Sequence, residues 1–178
     1  IIPNAKKLYP MLEGALTTDA DQRRLIINEF DLAARAYTQR KWWYRMEAAG
    51  NAIGDCTAFS DHEFLIIERD NNQGAAAQFK KVFLVDLDVV DSQGFLVKNE
   101  VADLLAIQDP DDLDGNGSNI FTFPFVTIES VIPLSATQIG VLNDNNYPGS
   151  SGRTPGQPDS NEFIILKLDR PLAMTGKK

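Results

Sequence analysis

LIINEFD at 25–31, FLIIERD at 64–70 and GVLNDNN at 140–146 are three short apolar segments that each run into an acidic side chain. They stack in register with Glu29, Glu68 and Asp144 at the same place. A second acid stands upstream of each: Glu13 in MLEGAL, Asp55 in IGDCTA and Glu129 in TIESVI. A unit repeating an acid, a turn, an apolar strand and another acid cannot bury its apolar face alone and must stack on its neighbours. The reading is all-β, a β-propeller whose carboxylates gather around one axis.

Glu29 and Glu68 lie 39 positions apart and Glu68 and Asp144 lie 76 apart, whereas a four-stranded propeller blade typically takes about 40–50 residues. The second interval therefore holds an insertion or a degenerate blade. Polar turns divide the strands at TTDADQRR (17–24), SDHE (60–63) and LSATQ (134–138), as hairpins require. A third strand follows in each unit: AYTQRKWWYRM at 36–46, FKKVFLVDLDVV at 79–90 and EFIILKLD at 162–169. The repeat units span about 8–50, 51–108 and 120–172 of a single domain covering 1–178. Helical signal is thin. DLAARAYTQRKWW has helical propensity, and VKNEVADLLAI at 97–107 spaces Val101, Leu104, Leu105 and Ile107 as one short helix in an insertion would.

Three to four blades do not close a ring, since propellers use about four to eight. The expectation is a partial propeller, the carboxy-terminal part of a larger one whose amino-terminal part is its partner. No apolar run is long enough for a transmembrane helix, and Ile1 opens no signal peptide. The single Cys56 excludes an internal disulfide framework and, between Asp55 and Thr57, reads as a small buried residue. A net charge of −8 and a pI near 4.6 argue against nucleic-acid and anionic-membrane partners. One histidine, His62 in a turn, leaves no serine triad, and neither a Walker motif nor a dinucleotide fingerprint is present.

The EFLIIERD strand end, FTFPFVTIESV at 121–131, VLNDNNYP at 141–148, GR at 152–153 and DSNEFIILKLDRPL at 159–172 resemble the phytase-like family, "esterase-like activity of phytase". The resemblance implies a secreted or periplasmic propeller with acidic repeats that hydrolyses phosphoesters or phosphodiesters. It matches the family's motifs at Glu13, Glu68, Arg69, Glu129, Asp144, Asn145, Asn146, Arg153, Asp159 and Glu162.

The chemistry of these residues supports such a site independently. Acids at one blade position converge on the channel and repel unless a cation neutralises them. Oxygen-only ligands, taken here as Glu13, Glu129, Asp144 and Asn145, suit calcium, which takes 6–8 oxygens; one His and one Cys make zinc or copper a poor fit. Calcium would hold a phosphate oxygen of a phosphorylated small molecule or phosphodiester. Arg69 or Arg153 would grip the others, Glu68 would act as general base, and Asn146, Asp159 and Glu162 would bind substrate. The competing reading is a non-catalytic propeller with structural calcium that binds a ligand or protein on its channel face. Beside turns, Glu29 and Asp55 serve equally well as backbone hydrogen-bond acceptors. DPDDLDGNGSN at 109–119 has calcium-loop composition without the order of an EF-hand, and Trp42, Trp43 and Tyr44 form a basic-flanked aromatic stripe.

Overall fold

The computed structural model describes residues 6–146, 153–154 and 156–172. Three antiparallel sheets follow one another along the chain. The first comprises β1 (Lys7–Leu8), β2 (Arg24–Asp31) and β3 (Ala36–Arg45). The second comprises β4 (Ala52–Ala58), β5 (Glu63–Arg69), β6 (Lys80–Val90) and β7 (Leu96–Asp103). A two-stranded ribbon of β8 (Ile107–Gln108) and β9 (Ile120–Phe121) precedes the third, made of β10 (Ile128–Ser135), β11 (Gln138–Asn143) and β12 (Phe163–Lys167). The chain is all-β, and its main sheets stack like consecutive propeller blades without closing a ring.

Side-chain alternation explains the stacking. All seven residues of β5 are buried, because the middle sheet is covered on both faces. Phe64 and Ile66 point one way, into a core with Leu25, Ile27, Trp42 and Tyr44 of the first sheet. Leu65 and Ile67 point the other way, into a core with Ile128, Val131, Ile139 and Val141 of the third. β6 repeats the division, with Val85 and Leu87 in the first core and Val82 and Leu84 in the second. Successive strand residues face opposite sides, so two alternating apolar sets make two cores from one sheet. The aromatic stripe is divided in the same way: Trp42 and Tyr44 are buried, Trp42 donating its Nε1–H to the Leu87 carbonyl at 2.8 Å. Trp43 faces outward beneath the Arg24 guanidinium, 4.5 Å from the ring centroid.

One helical expectation is corrected. VKNEVADLLAI forms no helix: it is β7, paired along β6 with Lys98 opposite Val85, followed by a turn that brings Leu104 to full burial. DLAARAYTQRKWW, despite its helical propensity, turns at 32–35, where the Asp31 carboxylate accepts the Ala33 and Ala34 N–H groups, and continues as β3, the strand expected at 36–46. Among the described residues the only helical turn is a short 3-10 segment, Gly74–Ala76. An available sheet edge and a buried face outweigh the local helical spacing. The long second interval of the repeat contains the β8–β9 ribbon, which lies between the second and third sheets along the chain.

The register of the three acids is also corrected. β4 carries a bulge at Gly54, between the pairs Ile53–Glu68 and Asp55–Ile67; β10 carries one at Glu129, between Ile128–Asn143 and Ser130–Leu142. Superposing these bulges matches Glu68 to Asn143 and Arg69 to Asp144, one residue out of the sequence stacking. A one-residue slip exchanges the faces of a strand. Asn143 accordingly repeats the full burial of Glu68, and Asp144 falls just past the end of β11.

At the β4 bulge the inner strands of two sheets nearly touch. A Cβ on Gly54 would lie 2.0 Å from the Ile128 carbonyl oxygen and 3.2 Å from the Ile67 side chain. Backbone oxygen cannot yield as a flexible side chain can, so Gly54→Ala forces the second and third sheets apart. The expected cost is about 1–3 kcal/mol or more, read as a lower urea midpoint at unchanged slope; wild-type stability would show that the inner strands do not pack this closely.

Candidate functional site

A cavity of about 410 Å³ opens where the inner segments of the three sheets meet, lined by Tyr9, Pro10, Met11, Glu13, Ile53, Gly54, Asp55, Cys56, Arg69 and Glu129. Residues 10–12 run beside β2, with Met11 bridging Ile27 and the Asn28 N–H donating to the Pro10 carbonyl. The Glu13 carbonyl then accepts the Ile53 N–H at 2.8 Å, which joins this segment to β4. On its other flank β4 meets β10 through Asp55, whose Oδ2 accepts the Val131 N–H at 2.9 Å. One acid from each inner segment, Glu13, Asp55 and Glu129, thus reaches the same cavity.

The three carboxylates differ in their freedom. Asp55 is committed to the Cys56 N–H, the Thr57 hydroxyl and Val131. Glu13 holds the Arg69 guanidinium, Oε1 to Nη2 at 3.1 Å. Glu129 is exposed and has no hydrogen bond or ion pair among the described residues. Arg69 is 6% exposed; one terminal nitrogen goes to Asn71 and another to Glu13, while its buried Nε–H has no partner among the described residues. A guanidinium in a cavity wall, oriented by Glu13 and Asn71, is a fixed positive charge toward which an oxyanion is drawn. Cys56 shares the wall, but burial and the Asp55 charge push its thiol up to about 12, so no thiolate nucleophile stands there at neutral pH.

Arg69 is braced from behind. Lys80, with no exposed surface, donates to the Asp70 carboxylate and to the Asp70 and Asn72 carbonyls. Burial alone would raise the Asp70 carboxyl, but Lys80 and the Gln78 N–H hold it below the usual carboxylate range.

The cavity does not take in every residue named from sequence. Glu68, expected as general base, lies on the opposite face of β5 from Arg69 and has 0% exposure. Its Oε1 accepts the Glu47 N–H at 2.6 Å and the Asn51 amide at 2.7 Å; its Oε2 accepts the Tyr44 hydroxyl at 2.8 Å and the Lys98 ammonium at 3.1 Å. Four donors and no water access make it a structural hub instead. Glu29 is likewise buried among Lys7, Thr38 and Arg40. Arg153, expected to grip phosphate, is spent on its own chain: Nε and Nη2 pair with both Asp159 oxygens at 2.9 Å, Nη1 meets Glu162 at 2.9 Å, and the guanidinium lies over the Phe125 ring. The Arg153 hydrogen bonds hold the Asp159 carboxyl far below its usual range.

Asp144 and Asn145, expected beside Glu13 and Glu129 as metal ligands, belong to this second cluster. The Asp144 carbonyl accepts the Thr127 hydroxyl, and Asn145 bonds the Asp159 carbonyl and the Asn161 side chain. Asn146, exposed at φ 51°, donates its N–H to Asp144. Asn146, Asp159 and Glu162 line the loop latch, not the cavity. Glu13, Arg69 and Glu129, all named from sequence, meet in the cavity; Tyr9 and the Lys80 brace were not foreseen, the only signal for the latter being Lys80 at the start of the apolar run 82–85.

A family model described as phytase-like, esterase-like activity of phytase, matches residues 1–147. The match contains the whole cavity wall and ends before Arg153, Asp159 and Glu162. No curated protein and no solved structure matches the chain.

Two outcomes follow for the groups behind the cavity. Glu68→Ala removes the shared acceptor of four donors, two of them, Tyr44 and Asn51, buried, and is expected to cost about 3–5 kcal/mol, measured by chemical denaturation; a change near zero would remove Glu68 as the hub. Because the Asp70 carboxyl is depressed in the folded state, its contribution is present above the unfolded carboxylate range and is lost as pH falls below about 4. Asp70→Asn should therefore lower stability at neutral pH and flatten the acid side of the melting-temperature profile; an unchanged acid limb would contradict the pairing.

Proposed function

The chain belongs to the phytase-like family, and we propose that its inter-sheet cavity is the site of a calcium-assisted phosphoesterase acting on a phosphorylated small molecule or phosphodiester. The observation that carries this reading is Arg69, a guanidinium in the wall of a cavity that Glu13, Asp55 and Glu129 also reach. Alone, the carboxylates would repel an anionic substrate; Arg69 and a bound cation together reverse the local sign.

The donor set fits a hard cation. Glu13 and Glu129 are the residues that would hold calcium, with oxygen ligands only, as that ion prefers. Their oxygens do not close with Asp55 into a group of three within 4.8 Å of one another, so substrate and water oxygens would complete the shell. When bound, calcium supplies Lewis-acid polarisation of a phosphoryl oxygen. Arg69, held in direction by Glu13 and Asn71, binds a second phosphoryl oxygen and orients the ester for in-line attack. A carboxylate that ligates through one oxygen retains the other for a proton, and Glu129, with no protein donor upon it, takes the proton of the attacking water. Glu68 has no part in the chemistry.

A second reading is kept by one observation. Asp55 is saturated and Glu13 already neutralises Arg69, an arrangement that also serves a module binding an anionic ligand without turnover. A secreted or periplasmic setting suits both, since calcium sites of extracellular modules work at Kd on the order of 10⁻⁴–10⁻³ M.

Hydrolysis of p-nitrophenyl phosphate and its diester, with calcium or with chelator, separates the readings. Turnover that needs calcium and falls about 10²-fold or more in Glu129→Gln supports the enzyme; Glu129 is exposed, so the variant should keep the wild-type melt. Calcium-dependent phosphate binding by calorimetry without turnover supports the module. If neither binding nor turnover depends on Glu129 or Arg69, the cavity is not the site.

A further inference from the structure

The far end of the middle sheet carries a second group of potential ligands. His62 lies in the turn between β4 and β5, and Asp86 and Asp88 lie on one face of β6. Their ligating atoms all lie within 4.8 Å of one another. The His62 Nδ1 is 2.8 Å from an Asp86 oxygen and 3.8 Å from an Asp88 oxygen. A full strand, roughly 20 Å at about 3.3 Å per residue, separates this end of β5 from Arg69, and the two sites share no residue.

The group is held by backbone. The His62 carbonyl accepts the Leu87 N–H at 2.8 Å, which fixes the turn against β6. Within the turn the Ser60 hydroxyl accepts from the Glu63 N–H and donates to its carboxylate, and Glu63 pairs in register with Asp86. The Asp88 N–H donates to the Asp86 carboxylate at 2.8 Å, which orients that carboxylate.

Charge supplies an independent observation. Glu29, Glu68, Asp70, Asp159 and Glu162 each have a Lys or Arg partner. Neither Asp86 nor Asp88 has one among the described residues; their sole ion-pair partner there is the imidazole, with the Glu63 carboxylate close by. Two carboxylates converge on one imidazole, which even when protonated leaves the group net negative, a charge that a divalent ion would balance.

We propose that His62, Asp86 and Asp88 form a binding site for a divalent transition-metal ion of the zinc class. Zinc accepts imidazole nitrogen and carboxylate oxygen at about 2.0–2.2 Å in tetrahedral sites, which places adjacent ligands about 3.3 Å apart. The present 2.8 and 3.8 Å separations bracket that spacing, so closure takes small side-chain shifts. Three protein ligands leave the fourth position to water. A nitrogen-containing set distinguishes the site from the oxygen-only cavity and favours zinc, cobalt or nickel over calcium. One His and one Cys make zinc a poor fit to nitrogen- and sulfur-rich sites; one imidazole with two carboxylates is a different donor set. The bound ion would clip the β4–β5 turn to β6.

The test is calorimetric titration of the whole chain with zinc alone, in calcium-containing buffer, for wild type, His62→Gln, Asp88→Asn and Glu129→Gln. The expected result is one zinc per chain in wild type, affinity lower by about tenfold or more in the first two variants, and no change in Glu129→Gln. Cobalt in place of zinc should give the visible absorption of a tetrahedral nitrogen–oxygen site, absent from His62→Gln. Thermal melts without metal establish that each variant is folded. No binding to wild type with zinc up to about 1 mM, or binding unchanged in folded His62→Gln and Asp88→Asn, overturns the proposal. So does zinc binding lost only in Glu129→Gln, which would place the ion in the cavity.

Discussion

A carboxylate with no exposed surface and four donors organises this molecule. Glu68 takes bonds from Tyr44 in the first sheet, from the Glu47 and Asn51 connection, and from Lys98 on β7. A buried charge is tolerable only when fully paired and hydrogen-bonded, so these four groups must arrive together or not at all. Two sheets are thereby set in one relative position. Lys98 fits the same logic, its ammonium lying over the Tyr44 and Phe83 rings while it pairs with Glu68. The Tyr44 hydroxyl is fixed as a donor, since burial and then the Glu68 charge hold it well above its usual range.

The consequence reaches the cavity through one peptide unit. Because neighbouring strand residues face opposite ways, locking Glu68 into the first interface commits Arg69 to the other side of β5. There Lys80 and Asp70 brace the chain behind it, and Glu13 returns from the first sheet to meet it. The site is therefore not carried by one loop. Its three acids come from three inner segments, joined by the Glu13–Ile53 and Val131–Asp55 bonds and by a contact at Gly54 too close for any side chain.

How much of this was legible in the residues depended on which physical signal each element carried. β2, β5, β6 and β12 announced themselves by apolar runs that end in charge, and the convergence of Glu13 and Glu129 followed from their place on inner strands. β7 was misjudged because Val101, Leu104 and Leu105 imitate helical spacing, while the exposed edge of β6 that recruits it is invisible in a local window. The one-residue offset between Glu68 and Asp144 was hidden by two bulges, which change register without leaving a composition mark; Gly54 was the sole hint. Asp, Glu and Arg have the same letters whether they meet a ligand or each other. Arg153, read as a phosphate grip, and Asp159 and Glu162, read as substrate-binding, form a latch closed on itself, and only the placement of both partners tells the two apart.

The third sheet has one further property. Ile132, Leu134, Phe163 and Ile165 are 43%, 44%, 51% and 57% exposed, and Ile132, Gly140 and Ile165 lie side by side across β10, β11 and β12. A contiguous apolar strip on an outer sheet, next to the edge strand β12, is an adhesive surface. The net charge of −8 opposes contact between such strips at neutral pH, and that repulsion weakens toward the pI of 4.6. The carboxylates that carry this charge therefore oppose contact through the strip. Mild acid or high salt, by discharging or screening them, makes the uncovered face the dominant force between molecules.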